Sequence, residues 1–207
     1  MKEVNKPENC CASTKELGQN YWDNQYKTET TGWDMGEVSP PLKTYIDQLK
    51  DKNVRILIPG CGNTYEAEYL LLKGFTNITL IDIAPTLVDK LKEKFKNNKH
   101  IKIMLADFFE HQGEYDLILE QTFFCAIDPS LRTAYRDNMY SLLSKGGKLE
   151  GVLFNKQFEK EGPPFGGNKE SYEKMFQDYF EFIAFETCTN SHPKRKNAEL
   201  FIIFKKK

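Results

Sequence analysis

Residues 54–63 read Val54-Arg55-Ile56-Leu57-Ile58-Pro59-Gly60-Cys61-Gly62-Asn63. A short apolar run closed by proline and Gly-x-Gly is a buried strand that turns at once into a helix. Glycine in such a turn lets the backbone approach a ligand with no Cβ in the way. The helix that follows spans 64–73 and stops at Gly74, a residue suited to the left-handed end of a helix. The same alternation repeats downstream. Residues 78–83 form a second strand and 85–96 a second helix, with Leu87, Val88, Leu91 and Phe95 on one face. Lys90, Lys92, Lys94 and Lys96 lie mostly off that face and read as a solvated surface.

Strands three and four fall at 101–105 and 115–120. Asp128-Pro129 open a third helix, acid as cap and proline in the first turn, with Leu131, Tyr135, Met139, Leu142 and Leu143 as its apolar face. Gly146-Gly147 turn the chain into a fifth strand at 148–154. A Gly/Pro-rich loop, 161–168, leads to a helix with Tyr172, Met175, Phe176 and Tyr179 on one side. Two last strands, 180–186 and 199–205, flank a basic loop containing His192-Pro193-Lys194-Arg195-Lys196. Upstream, a short helix at 40–49 carries Leu42, Ile46 and Leu49 on one face. Strands alternating with helices specify a parallel sheet covered on both faces, and two strands joined by a loop pair antiparallel at its edge. The expected fold is α/β, a Rossmann-like, seven-stranded, mostly parallel sheet with an antiparallel C-terminal hairpin.

The 207 residues suit one domain plus an extension. Residues 1–18 are polar and read as a flexible arm; 19–207 form the domain, opening with an aromatic stretch, 19–39, that holds both tryptophans, Trp22 and Trp33. Twenty-nine basic residues against thirty acidic ones leave a formal charge of −1, which argues against a nucleic-acid binder or a polybasic membrane anchor and suits small-molecule substrates. Cysteines 10, 11, 61, 125 and 188 include no C-x-x-C pair, and histidines are three, so neither a zinc site nor a disulfide framework is expected. No run approaches the roughly 18 apolar residues of a membrane span. The expectation is a cytoplasmic monomer with no metal.

In an open α/β sheet, ligands bind beyond the carboxyl ends of the strands, near the switch point. Four candidates fall at such ends. Gly60-Cys61-Gly62 follows strand one, but Tyr65 stands where the dinucleotide fingerprint has a third glycine. An NAD-type oxidoreductase is therefore the weaker of the readings on this sheet. Asp82 ends strand two and can accept ribose hydroxyls, or cap the helix at Pro85. Asp107-Phe108 follow strand three, as a base-binding pair or as a turn acid beside a core ring. Glu120 to Cys125 end strand four, facing a reacting group or packing as core; for Cys125 the core reading is favoured.

Tyr21-Trp22-Asp23-x-x-Tyr26, Gly32-Trp33-Asp34-x-Gly36 and Pro40-Pro41-Leu42 are more specific signals. Joined to Ile58-Pro59-Gly60-Cys61-Gly62, Asp107-Phe108-Phe109, Phe123-Phe124-Cys125-Ala126-Ile127-Asp128-Pro129 and Gly162-Pro163-Pro164-Phe165, the chain resembles the thiopurine S-methyltransferase family, most of all its thiol/halide methyltransferase branch. That resemblance, from Tyr21 onward, implies a class I methyltransferase fold and S-adenosylmethionine (SAM) as cofactor. It implies cofactor contacts at Trp22, Tyr26, Trp33, Gly60, Asp82, Asp107, Phe108 and Gln121, and an acceptor pocket touched by Trp33, Phe124 and Phe165. Two positions depart from the pattern: Tyr26 replaces a common tryptophan, and Gln121 stands where the thiopurine branch has arginine. The activity implied is transfer of a methyl group to a small soft nucleophile by alignment, with the aromatic stretch as a lid and no general base assigned. A non-catalytic SAM-binding protein is the remaining alternative.

Overall fold

The computed structural model describes residues 17–207. The predicted arm, 1–18, lies almost wholly outside them, as do Cys10 and Cys11. Seven strands alternate with helices: α1 (Gln19–Lys27), α2 (Pro40–Gln48), β1 (Ile56–Pro59), α3 (Tyr65–Leu72), β2 (Ile78–Asp82), α4 (Pro85–Lys94), β3 (Ile101–Leu105), β4 (Tyr115–Gln121), α5 (Arg132–Leu142), β5 (Leu143–Phe154), α6 (Lys169–Phe176), β6 (Phe180–Thr187) and β7 (Glu199–Lys206). They form one sheet ordered β3-β2-β1-β4-β5-β7-β6. The first five strands run parallel, and β7 is antiparallel to both β5 and β6.

Every residue of β1 is buried, as expected of a central strand covered on both sides. Alternation along it feeds two cores. Leu57 joins Ile118, Tyr135, Met139 and Phe176 beneath α5 and α6. Ile56 and Ile58 join Leu42, Ile46, Leu70, Leu87 and Leu91 beneath α2, α3 and α4. Because β1 leads outward to β2 and β3, and the chain then crosses back to β4, the switch point falls between β1 and β4.

Two local expectations are corrected. Residues Pro129–Leu131 form a separate 3₁₀ turn before α5, with Asp128 accepting from the Ser130 amide at 2.8 Å. The tighter turn shifts the phase, so Leu131 points outward, 42% exposed, while Tyr135, Met139, Leu142 and Leu143 are buried. Gly146-Gly147 does not begin β5 either. The strand starts at Leu143, directly after α5, and pairing with β4 jumps from Tyr115↔Leu143 to Leu117↔Lys148. The glycines lie in that irregularity, where Gly146 takes φ +76°.

The segment 19–39 arches over the carboxyl ends of the strands. Asp23 anchors α1 on the start of α4: its carboxylate accepts from the Thr86 amide at 2.7 Å and pairs with Lys27 at 2.6 Å. A carboxylate at a helix N-terminus meets unsatisfied N–H groups, so this contact is favourable. Lys27, helped by that amide, holds the Asp23 carboxyl below the usual carboxylate range.

Candidate active site

The turn after β1 is built by glycine. Gly60 and Gly62 take φ of +54° and +52°, and a Cβ on Gly60 would overlap the Phe123 ring. Asp82, at the end of β2, turns its carboxylate back onto this loop. It accepts from the Gly62 amide at 3.2 Å and the Ala84 amide at 3.0 Å. Burial raises its pKa to about 6 despite those two donors. Asp82 thus braces the loop ahead of α4 without a side-chain bond that caps that helix, and it borders the cavity above the switch point.

A cavity of about 1080 Å³ opens above the switch point. Trp22, Tyr26, Trp33, Gly60, Asp82, Asp107, Phe108 and Gln121 all line it. The aromatic members pack edge to face. Trp22 and Trp33 have ring centroids 5.5 Å apart, and Tyr26 and Trp33 5.8 Å. Burial, with the Asp82 charge nearby, keeps the Tyr26 hydroxyl firmly protonated. Asp107 caps the 3₁₀ turn Phe108–Glu110 by accepting from the Phe109 amide at 2.9 Å, and Phe108 stacks edge to face on Phe123 at 5.1 Å.

Two sequence expectations for the acceptor side fail. Phe124 is 1% exposed and packs against Tyr135 and Tyr172 in the core, so Phe123 borders the cavity in its place. Phe165 is not part of the lining. Its amide donates to the Cys125 carbonyl at 2.7 Å and its carbonyl accepts from Arg132 at 3.3 Å, so this residue stitches its loop down, while Pro163 and Pro164 border the space. Consecutive residues of a turning chain face opposite ways, and the residue names alone do not say which one faces in.

Glu120 is an anchor. Fully buried, it accepts from the Phe123 and Phe124 amides at 2.8 and 3.0 Å and from the Tyr135 hydroxyl at 2.5 Å. Burial pushes its pKa up to about 7. Cys125 borders the cavity, but burial lifts its thiol to about 12, leaving it a poor nucleophile.

Several polar contacts close the segment 28–39 over the site, among them the Ser39 amide donating to Glu66 at 3.2 Å. Asp34 Oδ2 accepts from the Asn63 amide and from the Tyr65 hydroxyl, the latter at 3.2 Å, tying the segment to the glycine loop. Arg195 Nη2 donates to the Trp33 carbonyl at 3.2 Å. His192 Nε2 lies 3.4 Å from Glu37. In the sequence, Arg195 is one of three neighbouring cations in a basic loop. Its side chain is only 10% exposed, lies over the Phe154 ring, contacts Glu199 at 3.4 Å and borders the cavity. No local signal separates Arg195 from Lys194 and Lys196; only the packing of the β6–β7 loop does.

Two ends follow from the strand order. Asp82, Asp107 and Gly60 lie at the β3-β2-β1 side, and Thr122, Phe154 and Arg195 at the β4-β5-β7 side. The residues fit SAM: the glycine turn gives backbone access, and an acid ends β2. In addition, Thr64 Oγ1 and Gln121 Oε1 are buried on the cavity border with no partner among the described residues.

An antiparallel β7 slotted between β5 and β6 separates this sheet from the dinucleotide-binding fold and matches the class I methyltransferases, which use SAM. Comparison narrows this further. The chain belongs to the thiopurine S-methyltransferase family, whose profile matches residues 17–206. It is 31% identical over 159 residues to a probable thiol methyltransferase 2 of Arabidopsis thaliana, covering 74% of this chain and 70% of that protein. It is 25% identical over 191 residues to thiocyanate methyltransferase 1 of the same plant, covering 89% and 84%. The thiopurine S-methyltransferase of Photobacterium profundum is 24% identical over 194 residues, covering 86% and 91%. Among solved structures, the Burkholderia thailandensis 1,6-didemethyltoxoflavin-N1-methyltransferase, bound to its substrate and S-adenosylhomocysteine, superposes with a TM-score of 0.73 at 15% identity, covering 98% of this chain and 93% of the other. The chain is a SAM-dependent methyltransferase.

Proposed function

We propose that the chain methylates a small soft nucleophile: a thiol, sulfide or halide, or a related selenium or tellurium species. The observation that carries this reading is the β4-β5-β7 end of the cavity. It has aromatic and proline walls and a mostly enclosed guanidinium, Arg195, whose charge is shared with Glu199. Such a space suits a compact, polarisable, anionic or neutral acceptor. The names of the relatives, a thiol methyltransferase and a thiocyanate methyltransferase, support the same class.

SAM, when bound, supplies a methyl group carried on a sulfonium cation. Asp82 would hold its ribose, Asp107 the adenine amino group and Phe108 the adenine ring, with Gly60 allowing close approach and Gln121 at the β4 end. Trp22, Tyr26 and Trp33 would face the cation, each such contact contributing about 0.5–2 kcal/mol. As a lid, the segment 19–39 would keep water from solvating the nucleophile. Proximity and alignment then do most of the catalysis, and no general base is assigned. Halides carry no proton to remove, and small thiols are partly ionised near neutral pH.

No helix among the described residues is long and apolar enough to cross a membrane. With a formal charge of −1, we read the chain as a cytoplasmic monomer that does not bind nucleic acid. Incubation with SAM and bisulfide, methanethiol, thiophenol, thiocyanate, iodide or a thiopurine, with S-adenosylhomocysteine as readout, tests the function. Turnover with the small acceptors is expected to exceed that with thiopurines. SAM binding with no product from any acceptor would instead mark a binding protein.

A further inference from the structure

Thr122 follows the last residue of β4 and borders the cavity. Its backbone takes φ +71°, a conformation rare for a β-branched residue and costly enough to persist only where the surroundings enforce it. Here the surroundings do enforce it. Glu120 grips the two amides that follow, and the Thr122 carbonyl accepts from the Cys125 thiol at 3.1 Å. The side-chain oxygen accepts from Gln121 Nε2 at 2.9 Å and from Arg195 Nη1 at 2.8 Å.

A hydroxyl has two lone pairs and one proton. Both lone pairs of Thr122 Oγ1 are engaged, one by a cation, and no acceptor among the described residues takes the proton. Donors on the oxygen polarise the O–H bond and strengthen it as a donor. We propose that Thr122 is a specificity-determining residue, giving the methyl acceptor one hydrogen bond that carries the influence of Arg195 into the cavity. The assignment rests on the methyl-transfer reading of this site.

The charge balance explains why a hydroxyl suits the task. As the acceptor's lone pair bonds the methyl carbon, the electron pair of the sulfonium–carbon bond returns to sulfur. The negative charge of the acceptor and the positive charge of the sulfonium disappear together, and an anionic acceptor leaves no proton to place. A guanidinium paired directly with that anion would bind the ground state more strongly than the transition state, which slows the step. In this structure Arg195 is turned to Glu199, Trp33 and Thr122. The acceptor then meets a polarised hydroxyl, which orients it at smaller cost to its reactivity.

Thr122→Val keeps the β-branched shape and removes the hydroxyl; Thr122→Ser keeps the hydroxyl. The measurements are the dissociation constant of thiocyanate on protein saturated with S-adenosylhomocysteine, kcat/KM for thiocyanate, and the SAM dissociation constant. For Thr122→Val, thiocyanate binding and kcat/KM are expected to weaken about ten- to a hundredfold, with SAM binding little changed. Thr122→Ser should recover most of the loss. Equal behaviour of wild type and Thr122→Val overturns the assignment, as does an equal fall in both variants, which would mark a role of shape alone. A wild type that binds SAM and methylates no acceptor overturns the functional reading itself, and this assignment with it.

Discussion

At the scale of single residues, Asp82 has one observed task, as a brace, and one proposed task, as a ribose ligand, and their demands differ. As a brace it needs only to accept from the Gly62 and Ala84 amides; as a ligand for ribose hydroxyls it must be ionised. Its pKa of about 6, raised by burial, makes the second task depend on pH. SAM affinity measured by calorimetry is expected to rise as pH increases through about 6 and to level off above 7. Asp82→Ala should weaken SAM binding by about 1–3 kcal/mol and flatten that dependence. An unchanged dissociation constant would leave Asp82 as a brace only. Asp82 was legible in the sequence because it ends an apolar run 20 residues past Gly62. Arg195 and Thr122 were not: each gains its role from a partner distant in the chain or from a backbone conformation that no residue name announces.

At the scale of elements, the segment 28–39 is held by polar ties rather than by a deep core. Asp34 joins it to the glycine loop through Asn63 and Tyr65, so closing the segment and shaping the cofactor turn are coupled. Asp34→Ala should raise amide hydrogen exchange across 28–39 and weaken SAM binding about tenfold. Exchange that stays at the wild-type level would show that the aromatic packing of Trp22, Tyr26 and Trp33 holds the segment without Asp34. The strands and most helices were readable from apolar periodicity. Where reading failed, at Leu131 and at Gly146-Gly147, a 3₁₀ turn or a pairing irregularity had shifted the phase on which periodicity depends.

At the scale of the molecule, burial makes the folded chain an unusual acid. Asp82 and Glu120 are raised to about 6 and 7, and Glu66 and Glu150 are raised as well, all chiefly by burial. Raised carboxyls bind more protons folded than unfolded, so their contribution is complete below about pH 4; that of Asp82 and Glu120 is lost as pH rises through about 6 and 7. Buried His111, whose pKa is lowered, works the other way, but it is one group against four. Below pH 4, Asp116, held well down by Arg55, protonates and stability falls again. Thermal unfolding of the ligand-free protein should therefore show greater stability at pH 5 than at pH 7.5, by about 2–4 kcal/mol. The opposite order would mean that these carboxyls are better solvated than their packing indicates.

The amino-acid sequence by itself determined the sheet, its antiparallel edge, the glycine turn and the acids that end β2 and follow β3. Those features depend on local periodicity and on residues whose chemistry acts where they stand. Tertiary structure alone decided which of Phe123 and Phe124 faces the cavity, that Phe165 ties its loop down, and that one arginine of a basic loop is mostly enclosed beside Thr122. These outcomes depend on the direction of side chains at turns and on contacts across more than 70 residues, as between Arg195 and Thr122, which burial and hydrogen bonding settle only once the chain has folded.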